Sequence, residues 1–361
     1  MRARAIGCAL LAAALLSGCG SHTRNVSGPR IQTALRGTWV GTLSDGLDGD
    51  ALLEVRTPDT SMPITGDFVH NGPSGPVRAA VTGMVGLDSL HVAIGDGVLS
   101  GRLVLDSLHA VVQLGGATAR FEARWIDQDY IARTTSTLYP LTSIGAVQAG
   151  DLLWLATTEP GYARVRDDAL YDRLRVYWRP DSAWSSSALA WDGTRLWGEH
   201  PAIDGTAVVS DLLGFDERGR TGDSIRVAYR AAGLAYDGAR LWTFRLDPPA
   251  LLRIDAHGAT LDSLHVEIPD AGAATWFAGR FWVTGTLLRR LYELGPDGHA
   301  VSFRTLPGNG VPTPAGLTAD LHGPVYVESV SGTTWVHELE VFTAVPLARV
   351  LPARDRFARP R

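Results

Sequence analysis

The stretches ALAWDGTRLW over 188–197 and GLAYDGARLW over 233–242 are near copies of each other. Each holds an apolar run, an Asp-Gly turn and a second apolar run that ends on Trp. Asp-Gly between apolar runs signals a hairpin: Gly accepts positive φ, and Asp bonds the turn backbone. Related stretches flank the pair. GAVQAGDLLW ends at Trp154, AATWFAGRFW at Trp282, and GLTADLHGPVY at Tyr326. These aromatic anchors recur at about 40 to 45 residues, a period typical of four-stranded repeating units. Between anchors, LLGFDERGRTGDSIRV, LLRIDAHGATLDSLHV and LYELGPDGHAVSFRT each supply a second hairpin. One unit is therefore an inner strand, a tight turn, a Trp strand and a further hairpin.

Five such units fill about Thr142 to Leu351. A ring of five blades is expected over 127–352, with six as the alternative. At the head of each inner strand sits Gly145, Ala188, Gly233, Ala273 or Gly316, the last fitting if its unit carries one extra residue. Small side chains there suit a narrow axis. They equally suit the end of a loop. Either Asp129–Tyr139 or Pro346–Leu351 could supply the strand that closes the ring.

Upstream, residues 35–126 read as strand after strand: GTWVGTL, ALLEVRT, ITGDFVH, RAAVTGMV, SLHVAIG, LSGRLVL, LHAVVQL and ARFEARW. Eight short alternating runs with tight links predict an antiparallel meander closed into a small barrel, which leaves no exposed edge. The fold class is all-β, a small eight-stranded barrel followed by a five-bladed β-propeller.

Two resemblances sharpen this. Gly37-Thr38-Trp39 resembles the Gly-x-Trp of calycins, in which the Trp closes the barrel floor under an Arg of the last strand. The resemblance offers Arg120 or Arg124 for that part. The short segment and tight hairpins favour a barrel filled by side chains over a ligand cup. The repeated unit is similar to NHL/YVTN propellers, and its Trp motif to five-bladed propellers of the glutaminyl-cyclotransferase type. The resemblance implies architecture, since one propeller fold hosts many activities.

The N-terminus reads MRARAIGCALLAAALLSGC. Arg2 and Arg4 precede an apolar run from Ala5 to Leu16, too short for the roughly twenty residues of a spanning helix. Leu16-Ser17-Gly18-Cys19 resembles the lipobox of bacterial lipoproteins. It implies a signal peptide over 1–18, cleavage before Cys19, lipid on that cysteine and a tether over 19–34. Gly20, rather than Asp, after Cys19 tilts placement towards the outer membrane. The chain has two cysteines, and Cys8 leaves with the signal. The mature chain then has no free thiol for a disulfide, a nucleophile or a thiolate metal site. All 33 basic residues are arginine. Schiff-base chemistry and lysine phosphate loops are excluded. A net charge of −5 gives no reason to expect nucleic acid. The basic tail over 353–361 could touch anionic headgroups, or simply fray.

No motif names a reaction. Asp-Ser-Leu-His occurs at 88–91, 106–109 and 262–265. Ser and His two apart on a strand share a face, so the repeat reads as a turn Asp and outward polar groups, not a triad. Asp45, Asp48 and Asp50 lack EF-hand spacing and read as a hairpin turn. The histidines show no metal-ligand pairing, and neither metal nor cofactor is indicated. Loops after the Trp strands offer Glu159, Glu199, His200, Asp247 and Glu328, with Trp184 on the same rim. Glu199 or Glu328 would be the acid/base of an enzymatic site. Without a catalytic motif, the expected role is an envelope lipoprotein that binds or scaffolds. Its partners are the membrane, through the lipid, and an envelope protein or small ligand. A cyclotransferase, lyase or hydrolase on the ring face is the alternative.

Overall fold

The computed structural model describes residues 37–56, 63–85, 89–104, 107–129, 131–139, 142–149, 152–157, 162–166, 175–178, 188–216, 219–307, 314–320, 323–330 and 333–341. The expected signal peptide, Cys19, the tether and the basic tail lie outside them. Among the described residues every regular element is a strand.

Eight strands form the barrel: β1 (Gly37–Ser44), β2 (Gly49–Arg56), β3 (Ile64–Gly72), β4 (Gly75–Val85), β5 (Ser89–Ile94), β6 (Gly97–Val104), β7 (Ser107–Leu114) and β8 (Ala117–Gln128). Each pairs antiparallel with the next, and β8 pairs back onto β1. Alternation does the sorting. In β5 the order is exposed, buried, exposed, buried, so Leu90, Val92 and Ile94 enter the core while Ser89 and His91 face outward. Trp39, Leu53, Phe68 and Phe121 are among the side chains that fill the interior.

The Arg expected beneath Trp39 is not there. Trp39 points into the barrel. Arg120 and Arg124 alternate with the core residues Phe121 and Ala123, so strand parity puts both on the outer wall. Arg120 pairs with Asp45 at 3.1 Å. Arg124 reaches Glu267 and donates to the Ala300 carbonyl at 2.7 Å.

The rest forms five four-stranded antiparallel sheets among the described residues. They are β10 (Ser143–Ala149), β11 (Leu152–Thr157), β12 (Tyr162–Arg166) and β13 (Arg175–Trp178); β14 (Leu189–Trp191), β15 (Leu196–Asp204), β16 (Ala207–Asp216) and β17 (Gly219–Val227); β18 (Gly233–Tyr236), β19 (Leu241–Leu246), β20 (Pro249–Ile254) and β21 (Thr260–His265); β22 (Ala271–Phe277), β23 (Arg280–Gly285), β24 (Arg290–Leu294) and β25 (Ala300–Thr305); and β26 (Pro314–Ala319), β27 (Pro324–Val330), β28 (Thr333–Val341) with β9 (Ile131–Tyr139). The first strands neighbour one another in order, and β26 returns to β10, giving a propeller-like ring. The axis is tight: a Cβ on Gly316 would lie 2.7 Å from the Ala146 nitrogen. Of the two candidate closing segments, 131–139 does the closing, since β9 pairs with β28. Pro346–Leu351 lies outside the described residues.

The Asp of the repeat earns its place through its hydrogen bonds. Asp192 accepts from the backbone of Thr194 and Arg195 with one oxygen, and from the Trp197 indole at 2.8 Å with the other. Asp237 does the same for Ala239, Arg240 and Trp242. The fourth sheet lacks this Asp. There Ala278 takes positive φ in a tighter turn, and the Trp282 indole bonds the Phe277 carbonyl at 3.3 Å.

The last unit corrects the sequence reading. Ala190, Ala235 and Thr275 lie opposite Trp197, Trp242 and Trp282, but Thr318 lies opposite Val325, not Tyr326. The last hairpin has the same length as the others, so there is no extra residue, and Tyr326 sits one position past the true counterpart Val325. A one-residue slip flips the face: Trp197 packs towards the third sheet, whereas Tyr326 packs back on Trp282 of the fourth. Gly316 then matches its counterparts.

Barrel and ring share one core. Val40, Leu52, Val69 and Ile126 on the barrel wall pack with Phe244, Val266, Ile268 and Val283. The end of β8 pairs in parallel with β25, which covers a sheet edge. Arg290 donates to Thr38 at 2.8 Å and pairs with Glu54 at 2.6 Å. His265 meets the buried Asp50 at 2.8 Å. Asp50 is thus a seam residue, while Asp45 pairs elsewhere, so the acids of that hairpin do not converge.

The seam titrates. The Asp50 hydrogen bond raises the His265 pKa against the opposing effect of burial, with the charges of Asp50 and Glu267 adding to the rise. A raised folded value means that the contribution is full below the ordinary imidazole pKa of about 6.5 and fades as pH climbs through the raised one. Denaturation at pH 5.5 and 8.5, within about two units of that pKa, should show His265→Gln losing more stability at the lower pH. An equal loss at both would remove the histidine from the seam's pH response.

Candidate functional site

The structure engages the two candidate glutamates in separate seams. Glu199, on β15, is buried facing the third sheet beside Trp197. Its Oε1 accepts the Ser210 hydroxyl at 2.6 Å, and Ser210 Oγ accepts the Ala231 amide at 2.9 Å. Burial pushes its carboxyl above the usual range, opposed by Ser210 and the Arg230 charge. His200, one residue on, points to the opposite face and is partly exposed. The pair is therefore split between faces.

Glu328, on β27, is buried facing the fourth sheet. Register makes it the counterpart of His200 rather than of Glu199. Arg289, held at positive φ after β23, pairs with Glu328 at 3.1 Å and donates to the Pro307 carbonyl at 2.7 Å. His337 Nε2 lies 3.6 Å from Glu328 Oε2. On its other side, His337 Nδ1 lies 2.8 Å from Ser136 Oγ. The ring of Tyr326 stacks on His337. Burial lowers the His337 pKa, opposed by Glu328. Burial first, and Glu328 second, push the Tyr326 phenol to about 12. Perturbed titratable groups converging in one place mark a candidate site.

Asp247 is exposed on the β19–β20 hairpin. Glu159 and Trp184 lie outside the described residues. Asp88 and Asp106 of the Asp-Ser-Leu-His repeats do too. Their strands behave as alternation dictates: His91 faces outward to Ser100 at 2.7 Å, and His109 pairs with Glu122. Among the described residues no three His, Cys, Asp or Glu side chains are placed to hold a metal ion.

Sequence reasoning missed Arg289, His337 and Ser136. Ser136 and His337 are 201 positions apart, and only the β9–β28 pairing unites them. Asp270 was missed as well. It is buried after β21, accepts the Leu287 amide at 2.7 Å, and burial raises its pKa. Its signal, an Asp in the link EIPDAG, looks like any turn acid.

No family model matches the chain, and no curated protein does. Among solved structures it is similar to the glutaminyl cyclase of Myxococcus xanthus, at 13% identity, over 60% of this chain and 100% of that one, with a TM-score of 0.46. It is also similar to a calcium-binding regucalcin of Agrobacterium tumefaciens, at 10% identity, over 68% and 88%, with a TM-score of 0.37. The WD40 β-propeller domain of Doa1 aligns at 9% identity, over 84% and 97%, with a TM-score of 0.31. All three scores fall below 0.5, so the site is read from its own geometry, an all-β ring with a barrel docked on it.

Proposed function

We propose that the chain is a lipid-anchored envelope protein, held to a membrane through Cys19, whose five-bladed propeller serves as a binding or scaffold platform. One observation carries the platform reading. Glu199 and Glu328, the residues an acid/base site on the ring face would use, are buried against different neighbouring sheets. They join sheets instead of meeting over the axis. The closed order of first strands supports five blades. The barrel braces the third and fourth sheets, and its N-terminal strand follows the tether, so the brace lies between lipid and ring along the chain.

Anchoring is tested by fractionating envelopes of cells making the full chain or Cys19→Ala. Once its signal is cleaved, the variant is expected in the soluble fraction, and a signal-cleaved variant that still sediments with membranes overturns the anchor. The platform is tested by photo-crosslinkers at Leu246 and Asp247, on the exposed β19–β20 hairpin. A discrete adduct with an envelope component is expected, and no adduct at either position sinks this face as the platform.

A further inference from the structure

We propose that Ser136, His337 and Glu328 form a nucleophilic site on the outer part of the fifth sheet that acts on short-chain carboxylic esters. The three residues become neighbours only when the ring closes. In register, Ser136 lies opposite His337 and His337 opposite Tyr326. Glu328, two residues on from Tyr326, shares their face. The serine is exposed, while His337 and Glu328 are buried. A nucleophile within reach of solvent is thus backed by a base held dry.

The charge of Glu328, 3.6 Å from Nε2, and the Ser136 hydroxyl at Nδ1 assign the proton. Glu328 beside Nε2 favours the hydrogen on that nitrogen, which leaves the Nδ1 lone pair to accept from Ser136 Oγ at 2.8 Å. Roles and geometry define such an arrangement, not sequence position; here Nδ1 faces the serine and Nε2 the carboxylate. Arg289 pairs with Glu328 at 3.1 Å. Burial lowers the His337 pKa, so the imidazole is neutral at pH 7 and able to take a proton. The opposing pair Trp335 and Leu138 sits beside Ser136 on the same face, with Trp335 38% exposed and nearly parallel to the His337 ring. That apolar shelf suits a short acyl chain. Among the described residues β9 is the outer strand of its sheet, and backbone N–H groups along that edge can meet a developing oxyanion.

The steps balance. Ser136 Oγ attacks the ester carbonyl carbon as its proton passes to His337 Nδ1. The carbonyl oxygen carries the negative charge of the intermediate. The bond to the alkoxy oxygen then breaks, and that oxygen leaves as the alcohol with the proton from His337. Water repeats the sequence on the acyl-serine and releases the acid. Glu328 is a positioning residue. The proposal is separate from anchoring, because protein released by Cys19→Ala should react equally well.

The test treats the full chain with an alkyl fluorophosphonate, in which an Oγ–P bond forms, fluoride leaves and His337 takes the proton. Mass spectrometry should find one adduct, on the Ser136 peptide. The rate should rise with pH through the His337 titration. Ser136→Ala alters an exposed residue and should fold without labelling. His337→Gln should slow labelling by about a hundredfold or more. Glu328→Gln should move the pH midpoint down, since it removes the negative charge that favours protonated His337; a merely structural role would leave the midpoint in place. No adduct on Ser136 overturns the proposal. So does a wild-type rate that is flat from about pH 4.5 to 7.5, across the imidazole range, which remains decisive if His337→Gln does not fold.

Discussion

Arg290→Ala should cost about 3–5 kcal/mol, the range for stranding one member of a buried ion pair. Arg290 lies buried at the barrel–ring seam. Its two terminal nitrogens meet Thr38 and Glu54 on the barrel, and its guanidinium carbon stands 4.0 Å from the Phe303 ring centre. Truncation leaves the Glu54 carboxylate in the seam without that cation. Arg290→Lys should recover only part of the loss, because one ammonium cannot reproduce the planar fork over an aromatic ring. Combining Arg290→Met with Glu54→Leu should recover much of it, because no charge is then stranded. Denaturant unfolding of the single and double variants gives the coupling. A single-variant cost under about 1 kcal/mol, the range of exposed pairs, would show that the shared apolar core alone holds barrel to ring.

Asp237→Ala should cost about 2–4 kcal/mol, from three charge-assisted hydrogen bonds lost together. The carboxylate holds Ala239, Arg240 and the Trp242 indole at 2.7–2.8 Å. Trp242 itself packs among Phe281 and the residues joining the third and fourth sheets, so loosening the turn loosens the seam. Burial alone would raise the Asp237 pKa. The bonds from Trp242, Arg240 and Ala239 outweigh it, and the pKa is lowered. A lowered folded value means that the stabilisation is complete above the ordinary carboxylate pKa of about 3.9 and is lost as pH falls through the folded one. Asp237→Asn should keep the turn bonds but set an amide N–H₂ against the indole N–H, and its cost should shrink in acid. Unfolding at pH 7 and pH 3 measures both effects. A loss that is the same at both values would show that charge has no part in the clamp.

Much of the fold was legible in the residues because its signals are local. Asp192 and Asp237 announce their hairpins through bonds to residues two, three and five positions on. The alternation of Leu90, Val92 and Ile94 with Ser89 and His91 assigns a barrel strand its faces without reference to any other strand. Long-range pairing left weaker marks. The calycin-like motif suggested an Arg under Trp39, but parity along β8 sends Arg120 and Arg124 outward, where Arg124 serves the ring. The spacing of aromatics selected Tyr326, one residue from the true counterpart Val325. That slip carries Glu328 to the opposite face from the one its spacing implied.

The sequence by itself determined an all-β chain, a strand-rich segment fit to close on itself, and a repeated four-stranded unit. Side-chain period and turn chemistry act over a few residues, and composition removed thiol and lysine chemistry outright. Only the tertiary structure decided that β9 closes the ring, that β8 docks on β25, and that Ser136 meets His337 beside Glu328. Those contacts join residues far apart in the chain, and their faces depend on register. With a period of two, a single residue of slip turns a side chain from one seam to the next.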